Sequence, residues 1–194
     1  MHEVNIKYKF LSKKKYFYKD YCITPLRKMD IQKIRKWRNE NISVLRQKNK
    51  LSSKEQESYY NTVIKKTFTK KKPPQILFSF LKNSECIGYG GFVHIDWNKK
   101  ISEVSFLVDT YRYKNKKIYC DDFNSFYTII KNIAFSDIGF KILTTETYDI
   151  RPYHIKLLEK NNFKLKNILK NHIIISDLKV DSLFHECFNP LLKN

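Results

Sequence analysis

Residues 86–108, CIGYGGFVHIDWNKKISEVSFLV, constrain the fold more than any other stretch. Two strand-like runs flank Asn98-Lys99, a turn-forming pair, so the chain doubles back there as an antiparallel hairpin. A loop of two or four residues puts His94 directly opposite Glu103 and Phe92 opposite Ser105. Opposed residues have Cβ atoms about 4.5–5.5 Å apart, close enough for an imidazole–carboxylate hydrogen bond or for both groups to share one water. That pairing is how a general base is commonly oriented. The competing reading is a cross-strand pair on a wet sheet face with no chemistry.

The rest of the chain has little punctuation, with four glycines and five prolines, so each one carries weight. Residues 1–15 show no clean period, end in Lys13-Lys14-Lys15, and read as an accessory arm to a domain spanning 16–194. Alternation over 16–26 predicts a first strand. Asp30 offers an N-cap to a helix with Ile31, Ile34 and Trp37 on one face. Ser52 with Glu55, and Ser53 with Gln56, each match a capping box opening a second helix to about Lys66. The prolines of TKKKPP (69–74) cannot continue it. Residues 75–81 predict the strand before the hairpin. After a polar loop, Phe123, Phe126, Tyr127, Ile130, Ile133 and Ala134 form a helical stripe that Gly139 is placed to end. KILTTETYD is a further strand, and Arg151-Pro152 opens a last helix, with proline in its first turn. Residues 173–175 and 180–188 close the chain as a hairpin around SDLK. This order predicts an α+β single domain: a central, mostly antiparallel twisted sheet flanked by about four helices.

No apolar run approaches the ~18–20 residues that span a bilayer, and the start has no apolar block of signal-peptide length, so a cytoplasmic protein with no membrane partner is expected. The four cysteines are scattered without CxxC spacing, which predicts free thiols and no metal. The formal charge of +19 favours an anionic ligand. Only six of the 38 basic residues are arginines, however, and the lysines are spread end to end, which argues against a dedicated nucleic-acid groove. Arg151 and His154 open the last helix, where a first-turn arginine opposes the helix dipole and suggests an anionic partner; a plain surface role is the alternative. His172 and His185 read as satisfied sheet histidines.

Three pieces resemble the GNAT N-acetyltransferase superfamily over residues 20–188. IGYGGFVHIDWNKKISEVSFLVD is similar to its central hairpin, and SEVSFLVDTYRYKNKK to its donor-binding strand and pyrophosphate loop. AFSDIGFKILTTETYDIRPYHIKLLEKNNF is similar to its helix, strand and helix ending in LEK-x-GF. The LEK ending and KIRKWRNE resemble the branch of ribosomal-protein N-terminal acetylases and amino-sugar-nucleotide acetylases. The resemblance implies an acetyl-CoA-dependent acyltransferase with no metal. Its donor would lie along the backbone of Phe106, Leu107 and Val108, its pyrophosphate on Arg112, Lys114, Asn115, Lys116 and Lys117. Glu103 would be the catalytic base, with His94 joined to it by the hairpin register, and Trp37, Arg38 and Asn39 would border the acceptor.

The departures are specific. Asn115 and Lys117 replace small residues of the pyrophosphate loop, Leu158 stands where many relatives have a tyrosine acid, Arg151 where an asparagine is usual, and Asn162 where x-GF has its glycine. The expected acceptor is a small anionic amine, first a nucleotide-linked amino sugar of surface-polysaccharide synthesis and second a protein N-terminus. The rival class is a non-catalytic basic module binding nucleic acid or an acidic protein. Many relatives dimerise, so a homodimer is a further expectation of the resemblance.

Overall fold

A computed structural model describes residues 6–192. Eight strands form one sheet in the order β1-β2-β3-β4-β5-β6-β8-β7. They are β1 (Tyr16–Tyr18), β2 (Tyr21–Pro25), β3 (Ile76–Lys82), β4 (Glu85–Asp96), β5 (Ile101–Val108), β6 (Ile142–Tyr148), β7 (Lys164–Ile175) and β8 (Leu178–Phe188). Every adjacent pair is antiparallel except β5 and β6. The helices are α1 (Ile31–Glu40), α2 (Ser53–Tyr59), α3 (Lys65–Thr67), α4 (Thr110–Lys114), α5 (Lys116–Asn132) and α6 (Pro152–Lys160). A π-helical turn, Tyr60–Ile64, joins α2 to α3, and another, Ile133–Ile138, prolongs α5. The α+β reading and its mostly antiparallel sheet hold.

The local signals explain most boundaries. Ser52 and Glu55 close the expected capping box: the Ser52 hydroxyl accepts from the Glu55 amide at 3.2 Å, and the Glu55 carboxylate accepts from the Ser52 amide at 2.7 Å. Gly139 ends the α5 segment at φ +77°, a left-handed conformation that glycine adopts at least cost. The single strand expected over 16–26 is a hairpin, turning at Lys19 with φ +53°. Asp30 precedes α1 but caps nothing with its side chain; it holds Arg27 instead, at 2.6 Å. β7 begins nine residues earlier than Ile173, because Lys164 onward pairs with β8 while staying exposed on both faces. Such a strand has no alternation of polar and apolar residues to reveal it.

The sheet and α5 share an aromatic core. Phe106 of β5 packs between Phe80, Phe123 and Phe126, with centroids 4.5–6.2 Å apart. The first residues described belong to this core as well: Tyr8 is fully buried, and its hydroxyl donates to the Leu77 carbonyl at 2.9 Å and accepts from the Leu77 amide at 2.8 Å. The β2 ladder ends at Phe78, and Tyr8 satisfies the Leu77 amide beyond it while sharing the Leu77 carbonyl with the Leu26 amide, which donates at 3.0 Å. The remainder of the expected arm, residues 1–5, lies outside the described residues.

The central hairpin corrects the predicted register. Val93, not His94, lies opposite Glu103, and Phe92 lies opposite Val104. Between the Val93–Glu103 and Asp96–Ile101 pairs, β4 has one residue more than β5. The bulge centres on His94, whose φ of +49° is left-handed, a conformation in which histidine is enriched among non-glycine residues. The turn itself is tied by Asp96, whose Oδ1 accepts from the Asn98 and Lys99 amides at 3.0 and 2.9 Å.

Candidate active site

β5 and β6 touch over one short parallel stretch. Residues 101–103 pair with 142–144, and past Glu103 and Thr144 the strands separate. Backbone groups on the facing edges therefore lose their ladder partners just where a ligand could pair with them. A cavity of about 690 Å³ occupies this gap, lined among others by Glu103, Phe106, Tyr127, Thr145, Glu146 and His154.

Glu103 is the last β5 residue in the parallel pair, and Glu146 lies two positions past its partner Thr144, on the same strand face. Arg46 reaches over from the segment after the short 3-10 turn Ile42–Val44. Its Nη2 lies 3.0 Å from one Glu103 oxygen and 3.1 Å from the other, and also donates to Glu146. Its Nη1 lies 3.2 Å from His94 Nε2. A guanidinium only donates, so Nε2 accepts and the ring carries its hydrogen on Nδ1. Burial pulls the Arg46 pKa down, but the charges of Glu103 and Glu146 and their hydrogen bonds outweigh it and hold it above its ordinary value. The direct His94–Glu103 pair expected from the sequence is not formed; each of the two contacts Arg46 instead. His172 Nδ1 lies 3.6 Å from a Glu146 oxygen and nearer, at 2.8 Å, to the Ser182 hydroxyl.

The Trp37-Arg38-Asn39 triad divides its work. Arg38 lines the cavity and is oriented by the Gln47 side chain at 2.9 Å and the Tyr89 hydroxyl. Asn39 faces the segment that carries Arg46: it accepts from the Leu51 amide at 2.8 Å and donates to the Leu51 carbonyl at 2.9 Å. Trp37 is buried, and its indole donates to Asp109 at 2.8 Å, fixing the start of α4. The sequence feature read as an acceptor contact is largely the frame that positions Arg46.

On the opposite side, the run after β5 is not a long loop. Asp109 caps α4 through the Tyr111 amide at 2.8 Å, and Asn115 caps α5 through the Ile118 amide at 3.1 Å. Lys114, Lys116 and Lys117 stand exposed around the α5 N-terminus, where the helix dipole adds positive potential. Arg112 turns inward instead, in a bidentate pair with the fully buried Asp122 at 2.6 and 2.7 Å; Asp122 also accepts from the Tyr21 hydroxyl at 3.0 Å. Of the β5 residues expected along the donor, Phe106 lines the cavity, while Leu107 and Val108 are buried at the strand end, opposite Tyr89 and Gly88.

A second polar cluster closes the cavity from α6. His154 is buried with Nδ1 2.6 Å from the Tyr119 hydroxyl, which also accepts from Arg151 at 3.4 Å. Burial, then Arg151 and His185, push the His154 pKa well below its ordinary value. Among the described residues no group of three or more His, Cys, Asp or Glu side chains is arranged to hold a metal. No described helix is long and apolar enough to cross a membrane.

Residues 23–184 match the family model described as an acetyltransferase (GNAT) domain, and the chain belongs to that family. It is an acetyl-CoA-dependent N-acetyltransferase. No curated protein matches the sequence significantly. Among solved structures, a spermidine N-acetyltransferase from Vibrio cholerae in complex with CoA and spermine superposes with a TM-score of 0.72 at 13% identity, covering 89% of this chain and 97% of that one. A chimera of that enzyme with hSSAT gives 0.73 at 15% identity, with 88% and 96% covered. An N-acetyltransferase from Staphylococcus aureus Mu50 gives 0.66 at 20% identity, with 87% and 98% covered.

Arg46, Glu146 and Tyr119 escaped the sequence reading. Glu146 sits in a strand whose alternation was visible but whose neighbour across the sheet was not. Arg46 had one usable signal: it is an arginine in a chain that otherwise supplies its charge with lysine.

Proposed function

We propose that the enzyme acetylates the primary amine of a small acceptor that also carries an anionic group, of the class of nucleotide-linked amino sugars. The observation that carries the reading is the Glu103–Arg46–Glu146 cluster at the edge of the strand gap, with Arg38 and Arg151 also on the cavity wall. Two carboxylates suit an ammonium, and three arginines suit phosphate or carboxylate. A wall of that mixed sign favours an acceptor bearing both charges over a polycation such as the spermine of the Vibrio cholerae complex.

The donor supplies an acetyl thioester. The open edge of β5 past Glu103 offers backbone N–H groups to its carbonyl and to the amides of an extended arm, and the exposed lysines at the α5 N-terminus offer charge to its phosphates. Glu103 removes the proton from the acceptor ammonium, directly or through one water, so that the free amine can attack. His94, bonded to the same guanidinium, positions Arg46 and touches neither the base nor the acceptor amine.

The experiment is steady-state kinetics of the purified chain with acetyl-CoA and a panel containing a nucleotide-linked amino sugar, an N-terminal peptide and spermidine. Glu103→Gln is expected to lower kcat by roughly 10²–10⁴, the span of general base catalysis, with acetyl-CoA affinity unchanged. Preference for spermidine would reject the anionic acceptor, and an undiminished kcat in the variant would reject Glu103 as the base.

A further inference from the structure

The geometry points to Arg46 as the residue that selects the acceptor, by exchanging partners with it. This rests on the reading of Glu103 as the base facing the acceptor amine. One nitrogen of Arg46 bridges the two carboxylates, contacting both oxygens of Glu103 and one of Glu146. A cationic N–H donor already stands where an acceptor ammonium has to stand to reach the same oxygens. The ammonium and the guanidinium cannot both occupy that place.

Arg46 is built to leave it. Its side chain is 45% exposed, whereas Glu103 and Glu146 are 21% and 9% exposed, so the cation is the movable member and the carboxylates are fixed. It lies in an irregular segment between the turn ending at Val44 and the Ser52 cap, anchored at Gln47 and Leu51 by Arg38 and Asn39, and those anchors do not involve the Arg46 side chain. Displaced guanidinium needs an anion to replace the two it gives up. An acceptor with an amine and an acidic group supplies both halves of the exchange. Its ammonium takes the place of Arg46 on Glu103 and Glu146, and its phosphate or carboxylate takes the place of those carboxylates on Arg46. An amine without an anionic group displaces the guanidinium from both carboxylates and gives it no anion in exchange. Selectivity for doubly charged acceptors therefore comes from Arg46, and the Glu103–Glu146 pair by itself is a site for amines of any kind.

The test uses one amine with and without an anion, glucosamine 6-phosphate and glucosamine, on the wild-type chain, Arg46→Ala and Arg46→Lys. Turnover is read with acetyl-CoA, and affinity by calorimetry with CoA bound. The wild type is expected to favour the phosphorylated amine by about tenfold to a hundredfold, the worth of one or two charge-assisted hydrogen bonds. Arg46→Ala should abolish that preference, binding glucosamine as well as or better than the wild type does, and Arg46→Lys should restore part of it. Equal losses for both amines in Arg46→Ala would make Arg46 a structural brace and overturn the exchange, as would a wild type with no preference in either readout. Glu103→Gln separates the two ideas: if it abolishes turnover of both amines, the base assignment stands even when the exchange has failed.

Discussion

Replacing Arg112 by alanine separates two roles for one residue. The family resemblance assigns Arg112 to the donor's pyrophosphate, whereas the structure points it at Asp122 with two short hydrogen bonds. Asp122 is fully buried on α5, and its other contact is the Tyr21 hydroxyl. Those hydrogen bonds, and the Asp122 charge, raise the Arg112 pKa against the opposing effect of burial. Removing the guanidinium strands a carboxylate beneath the sheet with one neutral donor. Breaking a buried pair from one side costs about 3–5 kcal/mol. Arg112 retains 20% exposure and Tyr21 still donates, so the low end applies, about 3 kcal/mol.

For a chain of this size each kcal/mol shifts the melting temperature by roughly 2–4 °C, so Arg112→Ala should melt about 6–12 °C below the wild type. Urea unfolding supplies the free energy directly, and acetyl-CoA titration on the folded variant supplies the second axis. Removing the stranded charge as well, in Arg112→Met with Asp122→Leu, should recover much of the loss, because the penalty belongs to the unpaired carboxylate. A variant within about 0.5 kcal/mol of wild type that has lost acetyl-CoA affinity would refute this reasoning and return Arg112 to the pyrophosphate.

Changing Lys114, Lys116 and Lys117 together to alanine should weaken acetyl-CoA binding roughly tenfold at low ionic strength, and by less as salt screens exposed charges; calorimetry at two salt concentrations with unchanged affinity would exclude them. His154 and His185 both have depressed folded-state pKa values, burial being the first cause, so the unfolded chain binds more protons below the ordinary histidine value of about 6.5. Stability should therefore be complete above that pH and fall as pH drops below it, and His154→Gln should flatten the fall in urea midpoints measured from pH 7 to 5. A Cβ at Gly90 would sit 2.2 Å from the Ser105 carbonyl and 2.7 Å from the Phe126 ring. Gly90→Ala should cost about 1–3 kcal/mol of stability and, by pushing β5 toward the cavity, lower kcat/KM; wild-type melting would reject the close approach.

How much of the site was legible follows from what kind of signal each residue leaves. Glu103 could be found because it lies beside a recognisable turn, on a strand that resembles the family's donor-binding strand. The capping box at Ser52 and the stop at Gly139 could be found because they are local, completed within a few residues of chain. The hairpin register could not, since one extra residue at His94 depends on a left-handed φ that histidine permits without demanding. β7 left no pattern because neither of its faces is buried. The Arg112–Asp122 pair left no signal for a related reason: Asp122 lies ten residues further on in a different helix, and nothing in the spacing marks a buried carboxylate.

Arg46 shows why the central question of the hairpin needed the third dimension. The bulge turns His94 out of register with Glu103, which by itself would end any partnership between them. What restores it is a guanidinium arriving from 48 residues before His94 and 57 before Glu103. The segment that carries it is irregular, so periodicity is silent there, and its position is set by hydrogen bonds to the end of α1, where Arg38 and Asn39 hold Gln47 and Leu51. The KWRN stretch that resembled an acceptor site therefore does bear on the acceptor, but at one remove. Changing Asn39 to alanine should loosen Leu51 and with it Arg46, so that acceptor selectivity falls while acetyl-CoA affinity, governed on the far side of β5, stays constant. A parallel loss of both would mean that Asn39 supports the fold as a whole, and the chain of contacts from α1 to the carboxylates would not be the route by which the acceptor is chosen.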